Sequence, residues 1–328
     1  MLAAMQRLAM DSCPDWQDRA EAQGFRFLDA DGRPRWREGA AYSFSAADID
    51  ILGDAAQRLE DLCLELVERI VAAGDYAAFG LGDLACTLIE DSWRRQDKNL
   101  LGRLDLAWDG DGAPRLLAYA ADAPVGLHDA SVVQWEWFDS HCRHGDQFNG
   151  IDEMLIEAWK RFGLWGHRVH FACDGEDEAA HGACDYLRGT AMQAGLETGF
   201  LPIEQLGWNG KRFTDLEAKP ITVLCKLSPW EQLLQAAIAP QIRASGMRLI
   251  EPAWKLLLAH DAMLPLLRQA FPGHENLQPA DALPAFDGFT PVLSLWIVAS
   301  RPCGLGIQES RLGQSHGSDS RFVPHLIA

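Results

Sequence analysis

The segment that most narrows the fold is residues 168–203. Arg168-Val-His-Phe-Ala-Cys173 is an apolar run of strand length, residues 177–194 carry a helical pattern that stops at Gly195, and Thr198 to Ile203 is strand-like again. These form a β-α-β unit, and Ile221-Thr-Val-Leu-Cys-Lys226 supplies a later strand of the same kind. Such alternation implies a parallel sheet covered on both faces, and hence an α/β protein. Gly175 is the only glycine at the first strand-to-helix turn. The glycine fingerprint of dinucleotide binding is therefore missing, and this lobe need not bind a nucleotide itself.

The flanking regions have their own patterns. Residues 26–44 read as short extended pieces around a turn at Asp31-Gly32. Ser45-Ala-Ala-Asp48 has the form of a capping box. From there to about Ala73, apolar residues recur at helical spacing: Ile51, Leu52, Leu59, Leu62, Leu66 and Ile70. A second helix is expected over 83–96, and residues 128–162 read as mostly helical. Between them, Leu104, Leu106 and Trp108 alternate with other residues, Asp109-Gly-Asp-Gly112 is a turn, and Arg115 to Ala120 returns. This predicts a β-hairpin over 100–121. Helices are expected to dominate from 230 to Phe271, followed by strands at Val292–Ala299 and Gly304–Gln308.

Composition excludes some roles. With 48% hydrophobic residues in 328, the chain can bury one large core or two ordinary ones. Lys and Arg number 29 against 47 Asp and Glu, a net charge of −18. That disfavours nucleic acid and anionic membranes, and tolerates a cationic partner such as a polyamine. The bland alternative is a charge that serves solubility alone. Eight cysteines (13, 63, 86, 142, 173, 184, 225, 303) include no Cys-x-x-Cys pair, and most sit in apolar runs. They fit reduced, buried thiols in a reducing compartment better than zinc or disulfides. Ser140-His-Cys-Arg-His144 could suggest a metal or a reactive thiol, but no further ligand pair stands nearby, and a surface loop is the simpler reading. The first residues lack the apolar core of a signal peptide, and no run reaches the ~18 apolar residues of a membrane span. A cytoplasmic protein is expected.

An ordered set of short segments carries a family resemblance. They are Arg19-Ala-Glu-Ala-Gln-Gly-Phe25, Gly102-Arg-Leu-Asp-Leu106, Tyr119-Ala-Ala-Asp-Ala-Pro124, Val132-Val-Gln-Trp135 and Asp146-Gln-Phe-Asn149. Further on come Glu251-Pro-Ala-Trp254, Phe271-Pro-Gly-His274, Leu283-Pro-Ala-Phe-Asp-Gly288 and Ser320-Arg-Phe-Val-Pro-His325. Together, and in this order across nearly the whole chain, they resemble the ATP-grasp synthetase domain of the glutathionylspermidine synthase family. The resemblance implies a Rossmann-like pre-ATP-grasp lobe plus a truncated ATP-grasp lobe. It divides the chain into an N-terminal region holding the hairpin (1–164), the Rossmann-like lobe (165–230) and the truncated C-terminal region (231–328).

The resemblance also implies a chemistry. Active members use ATP and magnesium to phosphorylate a peptide carboxylate, which an amine such as spermidine then attacks to give an amide. Magnesium takes oxygen ligands, and phosphoryl transfer needs fixed positive charge. The family places Arg-x-Asp on one hairpin strand and Glu-x-Asn on the other. Here Arg103 (catalytic position) and Asp105 (metal position) are kept, while the other two metal positions are Ala118 and Ala120. The ATP-contacting Lys becomes Asp261, and a catalytic Arg becomes Gln308. Only the eight residues Glu275–Ala282 stand where the family carries a phosphate-covering loop, so a short surface connector is expected there. The reading is a family member without the ligase chemistry, with no ATP or magnesium expected as cofactors and a small peptide or polyamine as the implied ligand class. The alternative is an active ATP-dependent carboxylate–amine ligase with substituted ligands. Arg103 and Asp105 could equally form an inherited ion pair. Trp230-Glu231 could line a substrate cleft or simply pack. The acids Asp174, Glu176, Asp177 and Glu178 could meet a polyamine or serve a helix N-terminus.

Overall fold

The computed structural model describes residues 5–11, 15–22, 24–29, 31–142, 144–280, 282–314 and 320–328. Cys13, Gln23, Arg143 and Asp281, which fall in segments read above, lie outside the described residues, as does the side chain of Glu178.

Helix α1 spans Asp15–Ala22 and α2 spans Ala46–Ala73. The capping box predicted for α2 is formed in both directions: the Asp48 N–H donates to Ser45 Oγ (3.2 Å) and the Ser45 N–H to the Asp48 carboxylate (2.8 Å). Gly74, at φ 65°, ends the helix in the left-handed region that glycine adopts without penalty. Leu52, Leu59, Leu66 and Ile70 are buried as expected, while Ile51 faces solvent. Each helical step turns the side chain by about 100°, so the neighbour of an inward Leu52 points away. Helix α3 spans Asp83–Arg94, α4 Gln134–His141 and α5 Ile151–Arg161.

The hairpin is strand β3 (Leu101–Ala107) and β4 (Arg115–Ala120). It belongs to a five-stranded antiparallel sheet with β11 (Phe289–Val298), β12 (Arg301–Arg311) and β13 (Arg321–Phe322), in the order β13-β12-β11-β3-β4. Leu104, Leu106, Leu293, Leu295, Leu305 and Ile307 share one buried cluster with the inward face of α2. Tyr119, on the same side, donates to the buried Glu60 of α2 at 2.6 Å. Strands β1 (Gln6–Ala9), β2 (Ala40–Phe44) and β14 (His325–Ile327) form a smaller sheet.

The β-α-β unit is present as β5 (Arg168–Cys173), α6 (Glu178–Gln193) and β6 (Glu197–Pro202). The parallel sheet runs β10-β9-β5-β6, with β9 at Val223–Lys226 and β10 at Arg248–Ile250. Both faces are covered: Val169, Phe171 and Cys173 pack with α6 residues, while Ala172, Leu201 and Leu224 pack into the cluster around α2. Strand β10 lies within the stretch from 230 to 271 where the sequence predicts that helices dominate, and the sequence reading has no strand there. Its three residues are too short to show a period of two. Around it lie α7 (Trp230–Gln235), α8 (Ala239–Ser245), α9 (Lys255–Ala259) and α10 (Met263–Ala270). A two-stranded ribbon, β7 (Gly207–Trp208) and β8 (Phe213–Thr214), follows β6.

Residues 275–282 contain no strand among those described, as expected of a connector, but the segment is not simply superficial. Glu275–Leu277 is a 3-10 turn with Asn276 and Leu277 buried. Asn276 donates to the Pro114 carbonyl (2.7 Å) and Arg268 to the Leu277 carbonyl (2.7 Å), so the connector is pinned under the hairpin turn. The seven described cysteines are all free, five of them buried. No helix among the described residues is long and apolar enough to cross a membrane.

Candidate functional site

Four adjacent strands set the site by register. Residues paired across an antiparallel sheet point to the same face. Asp105 lies opposite Ala118 on one side and Ser294 on the other, and Ser294 lies opposite Gly306. The next row is Ala120, Arg103, Trp296 and Gly304. Gln308 pairs with Val292, one step beyond the Ser294–Gly306 pair on the same face. Five of the six candidate positions thus share one face of the sheet: Arg103, Asp105, Ala118, Ala120 and Gln308. Asp261 is not among them. It sits exposed in the turn between α9 and α10 and forms no hydrogen bond or ion pair with the other five. Its neighbour His260 packs edge-on against Phe79.

Arg103 and Asp105 satisfy one another. Two guanidinium nitrogens of Arg103 reach the two carboxylate oxygens of Asp105, both at 2.8 Å, and Ser294 Oγ adds a third donor at 2.7 Å. A further Arg103 nitrogen donates to the Val125 carbonyl at 2.6 Å. Both side chains are mostly buried, 12% and 14% exposed. Arg103 and Gln308 line a cleft of about 10 Å³ with Gly126, Ser294, Trp296 and Phe322, room for about one water.

These residues do not fit a pair of magnesium ions. Magnesium binds through carboxylate oxygens and demands near-octahedral geometry. The one carboxylate on this face already accepts three hydrogen bonds, and the positions across from Asp105 and Arg103 carry methyl groups. Among the described residues, no group of three or more His, Cys, Asp and Glu could hold a metal. The Ser140–His144 segment, read from the sequence as a surface loop, instead begins in the last turn of α4, where His141 Nδ1 contacts the Trp137 carbonyl and burial pushes the Cys142 thiol up.

Three buried ionic groups frame the site, and the sequence reading missed all three as pairs. Asp122, two residues beyond Ala120, meets Lys226 of β9 at 2.6 Å, with both side chains almost fully buried. Lys226 also donates to the Ser228 carbonyl, and Asp122 accepts the Trp230 N–H. Glu251 accepts the N–H groups of Leu100 and Leu101, where β3 begins, and pairs with Lys255 at 3.0 Å. Burial raises the Glu251 carboxyl against the lowering pull of Lys255. Glu309, next to Gln308 but on the opposite face, is fully buried and accepts from Arg7, Arg37 and Tyr42. Lys226, Asp122 and Glu251 all lie in quoted segments, and Glu309 follows Leu305 and Ile307 in the inward phase of its strand. That alternation was the available signal.

Trp230 is buried, its indole N–H on the Glu251 carbonyl. In the acidic segment, the Asp177 carboxylate accepts the Ala180 N–H at the start of α6, and Asp174 accepts the Glu176 N–H. These are helix-capping and turn contacts.

Comparison with known proteins agrees with this frame. The sequence profile described as glutathionylspermidine synthase pre-ATP-grasp matches residues 7–282. A Haemophilus influenzae protein named as a candidate acid–amine ligase is 31% identical over 383 aligned positions, covering 96% of this chain and 97% of its own. Set against 328 residues here, 383 positions leave at least 55 that the relative fills and this chain does not. Trypanothione synthetase of Crithidia fasciculata is 25% identical over 219 aligned positions, covering 58% of this chain and 33% of that protein. Among solved structures, a glutathione synthetase-like effector of Globodera pallida, in its apo form, superposes with a TM-score of 0.56 over 96% of both chains at 11% identity, so the two share a fold. With its profile match over most of the sequence and a relative of this identity along nearly its full length, the chain belongs to the glutathionylspermidine synthase family of acid–amine ligases, through its pre-ATP-grasp region.

Proposed function

We propose that this protein is a family member without ligase turnover, acting by binding a small peptide or a polyamine. The observation that carries the reading is the state of Asp105: its carboxylate is enclosed by Arg103 and Ser294, with Ala118 and Ala120 beside them. The family reaction asks for oxygen ligands to magnesium and for fixed cations over a triphosphate. Ala118 and Ala120 supply no oxygen, Asp261 supplies the wrong charge, and Gln308 supplies none. Free, mostly buried thiols and the net charge of −18 support a cytoplasmic protein that avoids nucleic acid. The second reading, an active ATP- and magnesium-dependent ligase joining a glutathione-like peptide to a polyamine or another amine, draws on one retained feature, the Arg103–Asp105 pair on the correct hairpin strand.

The test is phosphate release with ATP, magnesium, glutathione and spermidine, alongside titration of Mg-ATP by calorimetry. No turnover and no saturable nucleotide binding are expected. Loss of one preorganised charge-stabilising group commonly costs ~100–1,000-fold in rate, and several have changed here. The double variant Ala118→Glu/Ala120→Asn should remain inactive, because Asp261, Gln308 and the short 275–282 connector are unchanged. Steady turnover by the unmodified chain sinks this reading in favour of the ligase.

A further inference from the structure

A second cavity lies away from the hairpin face. It is a cleft of about 420 Å³ between α3, α8 and the edge strand β10. Its size falls within the ~300–1,000 Å³ typical of small-molecule sites. None of Arg103, Asp105 and Gln308 lines it. Its walls are apolar, built from Leu88, Trp230, Ile242, Met247 and Leu249. Its charges run against those of the chain. Its lining holds three arginines, Arg95, Arg243 and Arg248, and two aspartates, Asp91 and Asp97.

Two of the three cations are already paired. Arg95 meets Asp97 at 2.7 Å, and Arg243 meets Asp91 at 2.9 Å. Arg248, at the start of β10, forms no side-chain hydrogen bond or ion pair among the described residues, and it is only half-exposed. Its backbone is fixed by its N–H on the Thr222 carbonyl (2.9 Å) and by pairing with Val223. The cleft therefore offers one uncommitted guanidinium over an apolar floor, on a chain of net charge −18. A guanidinium fork suits a carboxylate or a similar oxyanion, and the floor suits a flat apolar body.

From this we infer that the cleft is a binding site for an organic monoanion, a single carboxylate-type head on an aromatic or alicyclic body, with Arg248 as its anchor. This site is independent of the proposed loss of ligase chemistry.

The test is calorimetric titration of the full chain with 2-naphthoate and with its neutral counterpart, 2-naphthylmethanol. Saturable one-site binding of naphthoate is expected, weakening as salt rises. Arg248→Ala should weaken it by about tenfold, and the neutral alcohol should bind the unmodified protein weaker by a similar factor, as befits a half-exposed charge-assisted contact. Arg248→Lys, which keeps the charge and loses the fork, should fall between. Arg311→Ala, at an exposed strand end outside the cleft, should leave binding unchanged. Unaltered thermal melts would show the variants folded. Equal affinity for naphthoate and the alcohol, undiminished binding by Arg248→Ala in a folded protein, or no saturable binding of naphthoate overturns the assignment.

Discussion

At the scale of single residues, His325 shows most clearly what the sequence withheld. Its segment was recognisable, but its partners lie far away in the chain. The Phe148 N–H donates to His325 Nε2 at 3.0 Å, so Nδ1 must carry the proton, which it gives to Gln134 Oε1 at 3.0 Å. The contacts span 177 and 191 positions, beyond the reach of any local pattern. The ring is fully buried and must be neutral to accept the Phe148 bond, and burial lowers its pKa to about 3. The unfolded chain takes up this proton near pH 6.5, whereas the folded chain resists it down to about 3. Between those values the unfolded state binds more protons, so folding stability is intact above pH 6.5 and falls as the pH drops toward 3. The loss approaches about 1.4 kcal/mol per pH unit from this group. Urea midpoints measured from pH 7 to pH 4 should show the slope, and His325→Gln should lose this histidine's share of it. Equal slopes in the two proteins would mean that His325 is already protonated in the fold.

At the scale of elements, local chemistry was legible wherever the signal was local. The capping box of α2 and the turn of the hairpin could be read directly, because each is completed within a few residues. The three-residue β10 could not, and neither could the choice of β11 as the partner of β3, since a strand does not encode its distant neighbour. Two glycines separate these levels. Gly53 lies within α2, and a Cβ there would meet nothing within 4 Å. Gly53→Ala should stabilise by about 0.5–1 kcal/mol, as expected where alanine replaces glycine inside a helix. Gly102 lies in β3, where a Cβ would stand 2.7 Å from Tyr119 Cε2 and 2.8 Å from its hydroxyl oxygen. The ring cannot simply swing away, because its hydroxyl is bonded to buried Glu60. Gly102→Ala should therefore destabilise by roughly 1–3 kcal/mol, the usual cost of overpacking. Paired urea titrations decide it, and a stabilising Gly102→Ala would mean that the α2–hairpin packing is loose.

At the scale of the whole molecule, the two main sheets are joined by buried charges. Asp122, just past β4, meets Lys226 at the end of β9, and Glu251, just past β10, holds the start of β3. The candidate site face is thereby fixed relative to the parallel sheet through both strands at the open end of the hairpin, opposite its turn. The sequence offered both halves of each junction inside recognisable segments. Their pairing was invisible because it depends on how the sheets dock. A buried pair need not be a large net source of stability, but breaking one side leaves a charge without compensation. Lys226→Met should thus cost about 3–5 kcal/mol, since the buried Asp122 carboxylate keeps only the Trp230 N–H. Asp122→Asn should also be costly, because it strands the Lys226 ammonium while still offering an oxygen to the Trp230 N–H. Combining Lys226→Met with Asp122→Asn removes both charges and preserves that acceptor. The double variant should be more stable than the summed losses of the single variants predict. Urea unfolding of the four proteins gives the coupling energy, and strictly additive losses would show that Asp122 and Lys226 contribute no coupling between the two sheets.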